Sequence, residues 1–262
     1  MKNVLLIAAS DPGGGAGIEA DIKTLTAHRV NALTAMTAIT HQDSAKVHDV
    51  KRTAPEDFAR VLDILLHDRK IDGIKTGALV TSEHVNALAG FLKSLGPLPI
   101  LVVDPVMVST SGARLLDSEA VHVFCESLLP FATLITPNIP EAEFLTGTSV
   151  NDRQTVEAAA RKLISMGARA CLIKGGHMKG ESFDVCFDGA EFTYFANTLV
   201  DREFHGTGCA LASALTARLV EGAGLGEAVR LARSYLHLAM EEASPGKGRS
   251  WLPDLTVKPP DD

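Results

Sequence analysis

Long apolar runs are missing from this chain. The longest unbroken one is Val4–Ala9, against the roughly 20 residues that a helix needs to cross a bilayer, so no transmembrane helix is expected. The same run is too short for the ~7–15-residue apolar core of a secretion signal, and Asp11-Pro12 and a glycine run follow it at once. The expected location is therefore the cytoplasm. Concentrated positive charge is missing too. The net charge is −7, with 25 Lys and Arg against 32 Asp and Glu. No basic run exceeds two residues, and the few aromatics (5%) do not interleave with basic positions, which argues against a nucleic-acid surface. Only four cysteines occur, Cys125, Cys171, Cys186 and Cys209, far apart and without a C-x-x-C pair. Neither a disulfide framework nor a zinc site is expected from them.

What is present suits an ordinary soluble enzyme: 262 residues, 46% hydrophobic and 22% charged, enough to bury one large core. Strand and helix patterns alternate. Val4–Ala9, Asn31–Thr40, Gly73–Thr76, Ile100–Val103, Leu134–Thr136 and Ala170–Lys174 read as strands, the apolar ones as buried parallel strands. Ile18–His28, a helix opened by a Thr53-Ala54-Pro55-Glu56 capping box and running to His67, and Ser82–Leu95 read as helices. So do a segment from Asp117 to Leu129, one from Asn151 or Asp152 to Gly167, and the Ala- and Leu-rich Gly208–Val220 and Gly226–Glu242. Phe183–Phe187 and Glu191–Phe195 flank an Asp188-Gly189 pair, which type I′ hairpins favour. Only the tail after Ser244 looks loose. The expectation is a single α/β domain over residues 1–262, with a mostly parallel central sheet and helices on both faces.

Ligands of such sheets bind outside the carboxyl ends of the strands. There the sequence places Ser10-Asp11-Pro12-Gly13-Gly14-Gly15, His41-Gln42-Asp43, Lys75-Thr76-Gly77, Asp104-Pro105, Thr136-Pro137-Asn138 and Lys174-Gly175-Gly176-His177. The first loop is not a dinucleotide fingerprint, because Ile18 stands where the last glycine belongs, and no Walker A, G-x-S-x-G or H-E-x-x-H pattern occurs. His205-Gly206-Thr207-Gly208-Cys209 precedes an Ala-rich helix. Glycines there let backbone N–H groups converge on an anion at the positive helix end. Cys209 in the first turn is either a thiol of lowered pKa or a small packing residue. Asn138-Ile139-Pro140-Glu141 makes a good helix start, and its Glu141 could equally hold Mg²⁺ through water. Asp104 is either a turn cap or a second carboxylate for the same ion. Lys174 is either a solvated strand end or a partner for phosphates.

The order of these motifs is more specific than any one of them. Asp11-Pro12-Gly13-Gly14-Gly15-Ala16-Gly17-Ile18-Glu19-Ala20-Asp21, Asp104-Pro105-Val106-Met107-Val108, Thr136-Pro137-Asn138 with Glu141, and Gly206-Thr207-Gly208-Cys209 resemble the ribokinase-like superfamily. Within it, cysteine at the last position resembles the hydroxymethylpyrimidine/phosphomethylpyrimidine kinases of thiamine biosynthesis. The resemblance runs from about Val4 to Met240. It implies ATP-dependent phosphorylation of 4-amino-5-hydroxymethyl-2-methylpyrimidine and then of its monophosphate, in a homodimer. It makes Cys209 the base, within an anion hole of Gly206, Thr207 and Gly208, with Lys174 on the phosphate side. It gives the pyrimidine to Asp21, Gln42, Ala16, Ala9 and Ala78, ATP to Asn138, Lys174 and Thr207, and Mg²⁺ to Asp104 and Glu141.

Three positions depart from that pattern. Ala78 stands where the family often has Met, Ala9 where Gly is usual, and the Gly-Lys-Gly-Arg segment at 246–249 lacks a His-bearing ending. The alternatives are a pyridoxal kinase of the same fold or a non-catalytic vitamer-binding protein. Pyridoxal-type relatives typically carry a lid cysteine after D-P-V-M, and Val108-Ser109-Thr110-Ser111-Gly112 has none, which favours the pyrimidine. Subunits are expected to meet along an edge formed by Asn31–Thr40 and Val47–Arg52.

Overall fold

The computed structural model describes residues 1–43, 46–109, 112–175, 177–178, 181–196, 200, 202–246 and 250–260. Thr110, Ser111, Gly176 and the 247–249 part of the Gly-Lys-Gly-Arg segment lie outside the described residues.

The central sheet is ordered β10-β9-β7-β6-β5-β4-β1-β2-β3, with β8 (His177–Met178) paired to β9 off this path. Its parallel heart is β1 (Asn3–Ser10), β2 (Asn31–Gln42), β4 (Gly73–Thr76), β5 (Ile100–Val103), β6 (Leu134–Ile135) and β7 (Cys171–Ile173). At one edge β3 (Val47–Arg52) runs antiparallel to β2. At the other, β9 (Glu181–Phe187) and β10 (Phe192–Ala196) add antiparallel strands.

Alternation within β1 explains why Val4–Ala9 is apolar throughout. Leu5 and Ile7 pack with Phe58 and Leu62 of α2 (Pro55–Asp68) and Leu88 and Leu92 of α3 (Ser82–Ser94). Val4, Leu6 and Ala8 face the other way, onto Ile18 and Leu25 of α1 (Gly17–Ala27) and Ala217 and Val220 of α7 (Thr207–Glu221). Side chains two apart share a face, so a strand covered on both faces cannot alternate with polar residues. The first face also carries α4 (Ser118–Val123), α5 (Ile139–Thr146) and α6 (Arg153–Ser165). The second carries α8 (Leu225–Glu241), whose Tyr235 is fully buried.

Several local expectations are corrected. Thr53 does not cap α2: its N–H still bonds Thr37 O beside the β2–β3 ladder, Ala54 is the cap without a side-chain bond, and Pro55 starts the helix. Asp117 caps α4 without a side-chain bond, its carboxylate being taken by Arg52 at 2.9 Å. The segment to Leu129 is not one regular helix but passes into a π turn over Phe124–Leu128. The β9–β10 connection is a four-residue loop, since Phe187 pairs Phe192; Asp188 Oδ1 accepts from the N–H groups of Ala190 and Glu191, and Gly189 takes φ +95°. This Asp-side-chain turn replaces the expected type I′ geometry.

The described residues of the tail are ordered. β12 (Ser244–Pro245) and β13 (Ser250–Leu252) form a small sheet with β11 (Glu203–Phe204). Leu255 is buried, and its carbonyl accepts from Tyr235 Oη at 2.8 Å. Among the described residues no helix is long and apolar enough to cross a membrane.

Candidate active site

Two glycine-rich loops cross above the carboxyl ends of β1 and β5. Gly206 sits at φ +82°, and a Cβ there would lie 1.7 Å from Gly15 O. Gly17 sits at φ +58°, and its Cβ would lie 2.5 Å from Ala9 O. No other residue fits either position. This crossing brings the N-termini of α1 and α7 together, and the Gly17 N–H faces the sulfur of Cys209, half-buried in the first turn of α7, and favours its thiolate. The small C-terminal sheet presses on the same crossing: a Cβ on Gly15 would strike Leu252 and His205.

Beside this junction stand a lysine and two carboxylates. Lys174 Nζ donates to Asp104 Oδ1 at 2.9 Å, and Thr136 Oγ1 reaches the same oxygen at 3.1 Å. Lys174 lies against the start of α7, where a Cβ on Gly208 would be 3.1 Å from its Nζ. Burial would lower its pKa, but the Asp104 and Glu141 charges raise it overall, so it stays cationic. Glu141 is held by a capping box, its Oε2 taking the Asn138 N–H and its own N–H going to Asn138 Oδ1, both at 2.8 Å. Burial raises the Glu141 carboxyl to about 7, with Asp104 pushing the same way and Lys174 opposing.

At the other wall Asp11 is a hub. Its oxygens accept from the N–H groups of Gly13 and Ala16 at 2.9 and 2.8 Å, and Oδ2 meets His205 Nε2 at 3.0 Å. The Gln42 amide lies near it and acts in the same direction. Burial alone would raise the Asp11 carboxyl, but these four partners hold it far below the usual range. An ionised carboxylate only accepts, so Gln42 turns its NH₂ toward Asp11. The apolar floor is made by Ala9 and Ala78, packed together with Ala38 and Val80.

The cleft has a volume of about 650 Å³ and is lined by Ala9, Ala16, Gln42, Ala78, Asp104, Asn138, Glu141, Lys174, Gly206, Thr207, Gly208 and Cys209. Thus all but one of the residues given a site role by the resemblance converge. The exception is Asp21. It is fully buried beneath the cleft and does not line it, because both its oxygens hold Lys75 Nζ at 2.8 Å and Ser213 Oγ donates to Oδ1 at 2.8 Å. A direct substrate contact by Asp21 is therefore corrected. The lowered thiol pKa is corrected too: burial pushes Cys209 up to about 11, against Lys75 and the Gly17 N–H, which pull it down. Asp11, Lys75 and His205 stand in the sequence motifs without a role, and Ser213 stands in none of them. An Asp immediately before a glycine run, able to accept successive N–H groups, was the available signal for the first.

The family model described as phosphomethylpyrimidine kinase matches residues 11–252. The chain belongs to that family. It is 41% identical over 251 residues to the hydroxymethylpyrimidine/phosphomethylpyrimidine kinase of Rhizobium meliloti, covering 94% of both chains. It is 43% identical over 249 residues to the thiamine biosynthesis bifunctional protein ThiED of Geobacter sulfurreducens, covering 94% of this chain but only 51% of that longer protein. Among solved structures, the phosphomethylpyrimidine kinase of Clostridium difficile superimposes with a TM-score of 0.82 at 34% identity, covering 92% of this chain and all of that one. An ADP complex of Bacillus subtilis pyridoxal kinase gives 0.89 at 32% identity, covering 98% of each. The family's fold is the ribokinase-like α/β fold seen here.

Proposed function

We propose that this chain acts as one kinase domain that transfers a phosphoryl group from ATP to 4-amino-5-hydroxymethyl-2-methylpyrimidine, and then to its monophosphate, in thiamine diphosphate biosynthesis. The observation that carries the reading is the junction of two helix N-termini at Cys209 with the Lys174 ammonium beside it. Phosphoryl transfer asks of a protein mainly positioning and charge neutralisation. The free N–H groups at Thr207, Gly208 and Cys209 form an anion hole, and Lys174 neutralises the transferring phosphate. Cys209 takes the proton of the substrate hydroxyl, which is a poor nucleophile while protonated. A thiol near 11 is mostly protonated at neutral pH, so the reacting form is its minor thiolate, which accepts the hydroxyl proton as the oxygen–phosphorus bond forms and ADP leaves.

Mg²⁺ fits this donor set. Among the described residues no three His, Cys, Asp or Glu are grouped to cage a metal, whereas Mg²⁺ is usually held by one or two carboxylates, waters and phosphate oxygens. Asp104 and Glu141 provide that pair, and a nearby dication would ionise Glu141. Bound there, Mg²⁺ would supply charge neutralisation to the phosphates. Asn138 and Thr207 flank the nucleotide.

The pyrimidine reading rests on Gln42. With its NH₂ turned to Asp11, the amide oxygen is left to accept from an exocyclic amine, which the aminopyrimidine has and pyridoxal lacks. The likeness to pyridoxal kinases, at TM-scores up to 0.89, keeps a vitamin B6 alcohol as the second reading. Measuring ATP consumption with each alcohol decides. A larger kcat/KM for the pyrimidine is expected; a larger one for pyridoxal reverses the assignment, and turnover of neither makes the chain a binding protein.

A two-fold dimer accompanies this reading. The β1–β2 register shift opposite Ala8/Ala9 puts Met36 and Ile39 on the same face of β2, the α1 side, and both are exposed along with Ile22 of α1. β2 and β3 pair with each other, and β3 ends the sheet, which leaves that face as the apolar surface for a second copy. Light scattering should give twice the chain mass, and Met36→Asp the monomer. Four free cysteines without a disulfide and the use of ATP support action in the cytoplasm.

A further inference from the structure

Asp21 lies in the first-loop motif, yet the structure withdraws it from the cleft and spends it on Lys75, a buried lysine to which no role in the reaction has been given. Three elements meet at this pair. Asp21 is one turn below Gly17 on α1, Ser213 is one turn below Cys209 on α7, and Lys75 projects from β4. The ammonium bonds both Asp21 oxygens at 2.8 Å, and Ser213 Oγ closes the network at 2.8 Å. All three side chains are fully buried. Lys75 also reaches the cleft floor, where a Cβ on Gly77 would lie 3.4 Å from its Nζ.

We propose that Lys75, clamped by Asp21 and Ser213, is a positioning residue for the phosphoryl transfer: it locks together the two helix N-termini that meet at Cys209 and keeps a permanent positive charge beneath the sulfur. This deepens the reading of Cys209 as the base and rests on it. A lysine moved from water to an apolar interior tends to lose its proton. Here burial works in that direction, but the charges of Asp21, Cys209 and Asp104 and the hydrogen bond to Asp21 together outweigh it and keep Lys75 cationic. The charged groups around the sulfur are Lys75 from β4, Asp21 from α1, Asp104 after β5 and Lys174 after β7. Lys75 favours thiolate, whereas Asp21 and Asp104 oppose it, Lys75 being the stronger. Removing Lys75 and Asp21 together therefore leaves a thiol that gives up its proton less readily, and neither charge is stranded.

The test reads Cys209 directly, in the full chain without substrates. Iodoacetamide labelling of the Cys209 peptide is followed by mass spectrometry from pH 7 to 10, in the parent and in Lys75→Met/Asp21→Asn. Labelling of the double variant at pH 8 should be about three- to tenfold slower, and slower than the parent's throughout the range. Its kcat should fall by a similar factor, with KM for ATP unchanged within twofold. A folded double variant whose labelling profile coincides with the parent's overturns the proposal. Should that variant not fold, Ser213→Ala keeps both charges and loosens the clamp. A two- to threefold slower labelling with a matching loss of kcat supports the proposal, and parental values for both overturn it. Because labelling needs no substrate, its failure is distinct from failure of the parent to phosphorylate the pyrimidine, which would refute the kinase reading instead.

Discussion

Two lysine–aspartate pairs stand under the same cleft at almost the same separation, 2.8 Å for Lys75–Asp21 and 2.9 Å for Lys174–Asp104, and they differ in what can reach them. The Lys75 and Asp21 side chains are 0% exposed, whereas the Lys174 side chain is 18% exposed and lines the cleft. An arriving phosphate can share Lys174 with Asp104, because the ammonium has protons left over and solvent access on one side. No ligand can compete for Lys75. Contact distance therefore says little about role here; access does. The open pair can change partners during turnover, and the sealed pair can only hold a shape and a charge.

The sharpest separation of the two regions comes from removing the group between them. Cys209→Ala takes away the proposed base, and kcat should fall about 10²–10⁴-fold, the usual range for losing a general base. Thermal stability should be nearly unchanged, since Ala is a good helix former and Cys209 is only half-buried. Turnover within twofold of the parent would leave Cys209 as packing and remove the chemical reason for treating the α1–α7 junction as the reacting end.

Next in size is the contrast between the pairs themselves. Asp21→Ala strands a buried ammonium, and breaking a buried pair on one side costs about 3–5 kcal/mol, to be read from urea unfolding. Lys174→Ala should cost far less stability, because Asp104 keeps its Thr136 bond and water can enter the cleft. Its loss should appear in kcat, on the order of 10²–10³-fold by analogy with loss of one anion-stabilising donor. Equal destabilisation by the two substitutions would dissolve the distinction between sealed and open pairs.

This contrast also marks what the sequence could and could not tell. β1 and β5 were readable because strands buried on both faces must be apolar throughout, and the glycines of 13–17 and 206–208 announced the place where two loops cross. Nearly all the cleft residues follow from their position after a strand. Asp21 was misplaced because its partner Lys75 is 54 residues away. Nothing in either local pattern says that a helix residue and a strand residue will face each other beneath the floor. The tail was misread for a related reason. Its β12 and β13 residues show no helix or strand period; β13 is ordered by β11 and sits against the glycine loop at Gly15, both remote in sequence.

A sealed group should also act on stability through pH. His28 is buried against Tyr235, with ring centroids 4.6 Å apart, and burial lowers its pKa from 6.5 to about 4. As pH falls below 6.5 the unfolded chain gains a proton that the folded chain refuses, so stability declines until about pH 4. Each unit is worth about 1.4 kcal/mol, or about 3 kcal/mol over the window. His84, buried and shifted the same way, adds to the loss. Urea unfolding at pH 7 and pH 5 should show this slope, and His28→Gln should flatten it. An equal slope in the variant would assign the acid sensitivity elsewhere.

The smallest effect expected tests the open region at the substrate end. Gln42 turns its NH₂ toward Asp11, so its oxygen is the part presented to a ligand. Gln42→Ala leaves the ligand amine without that acceptor. The loss of one hydrogen bond at a half-buried site costs about 1–3 kcal/mol, seen as a higher KM for the pyrimidine with kcat nearly kept. Asp11 loses only one of its partners and keeps His205, Gly13 and Ala16, so folding should be little affected. Pyridoxal brings no amine to that position, and its KM should move less. If both alcohols respond equally, Gln42 shapes the wall without reading the ligand. If neither responds, it belongs with the framework, and selectivity must be sought in the alanine floor of Ala9 and Ala78.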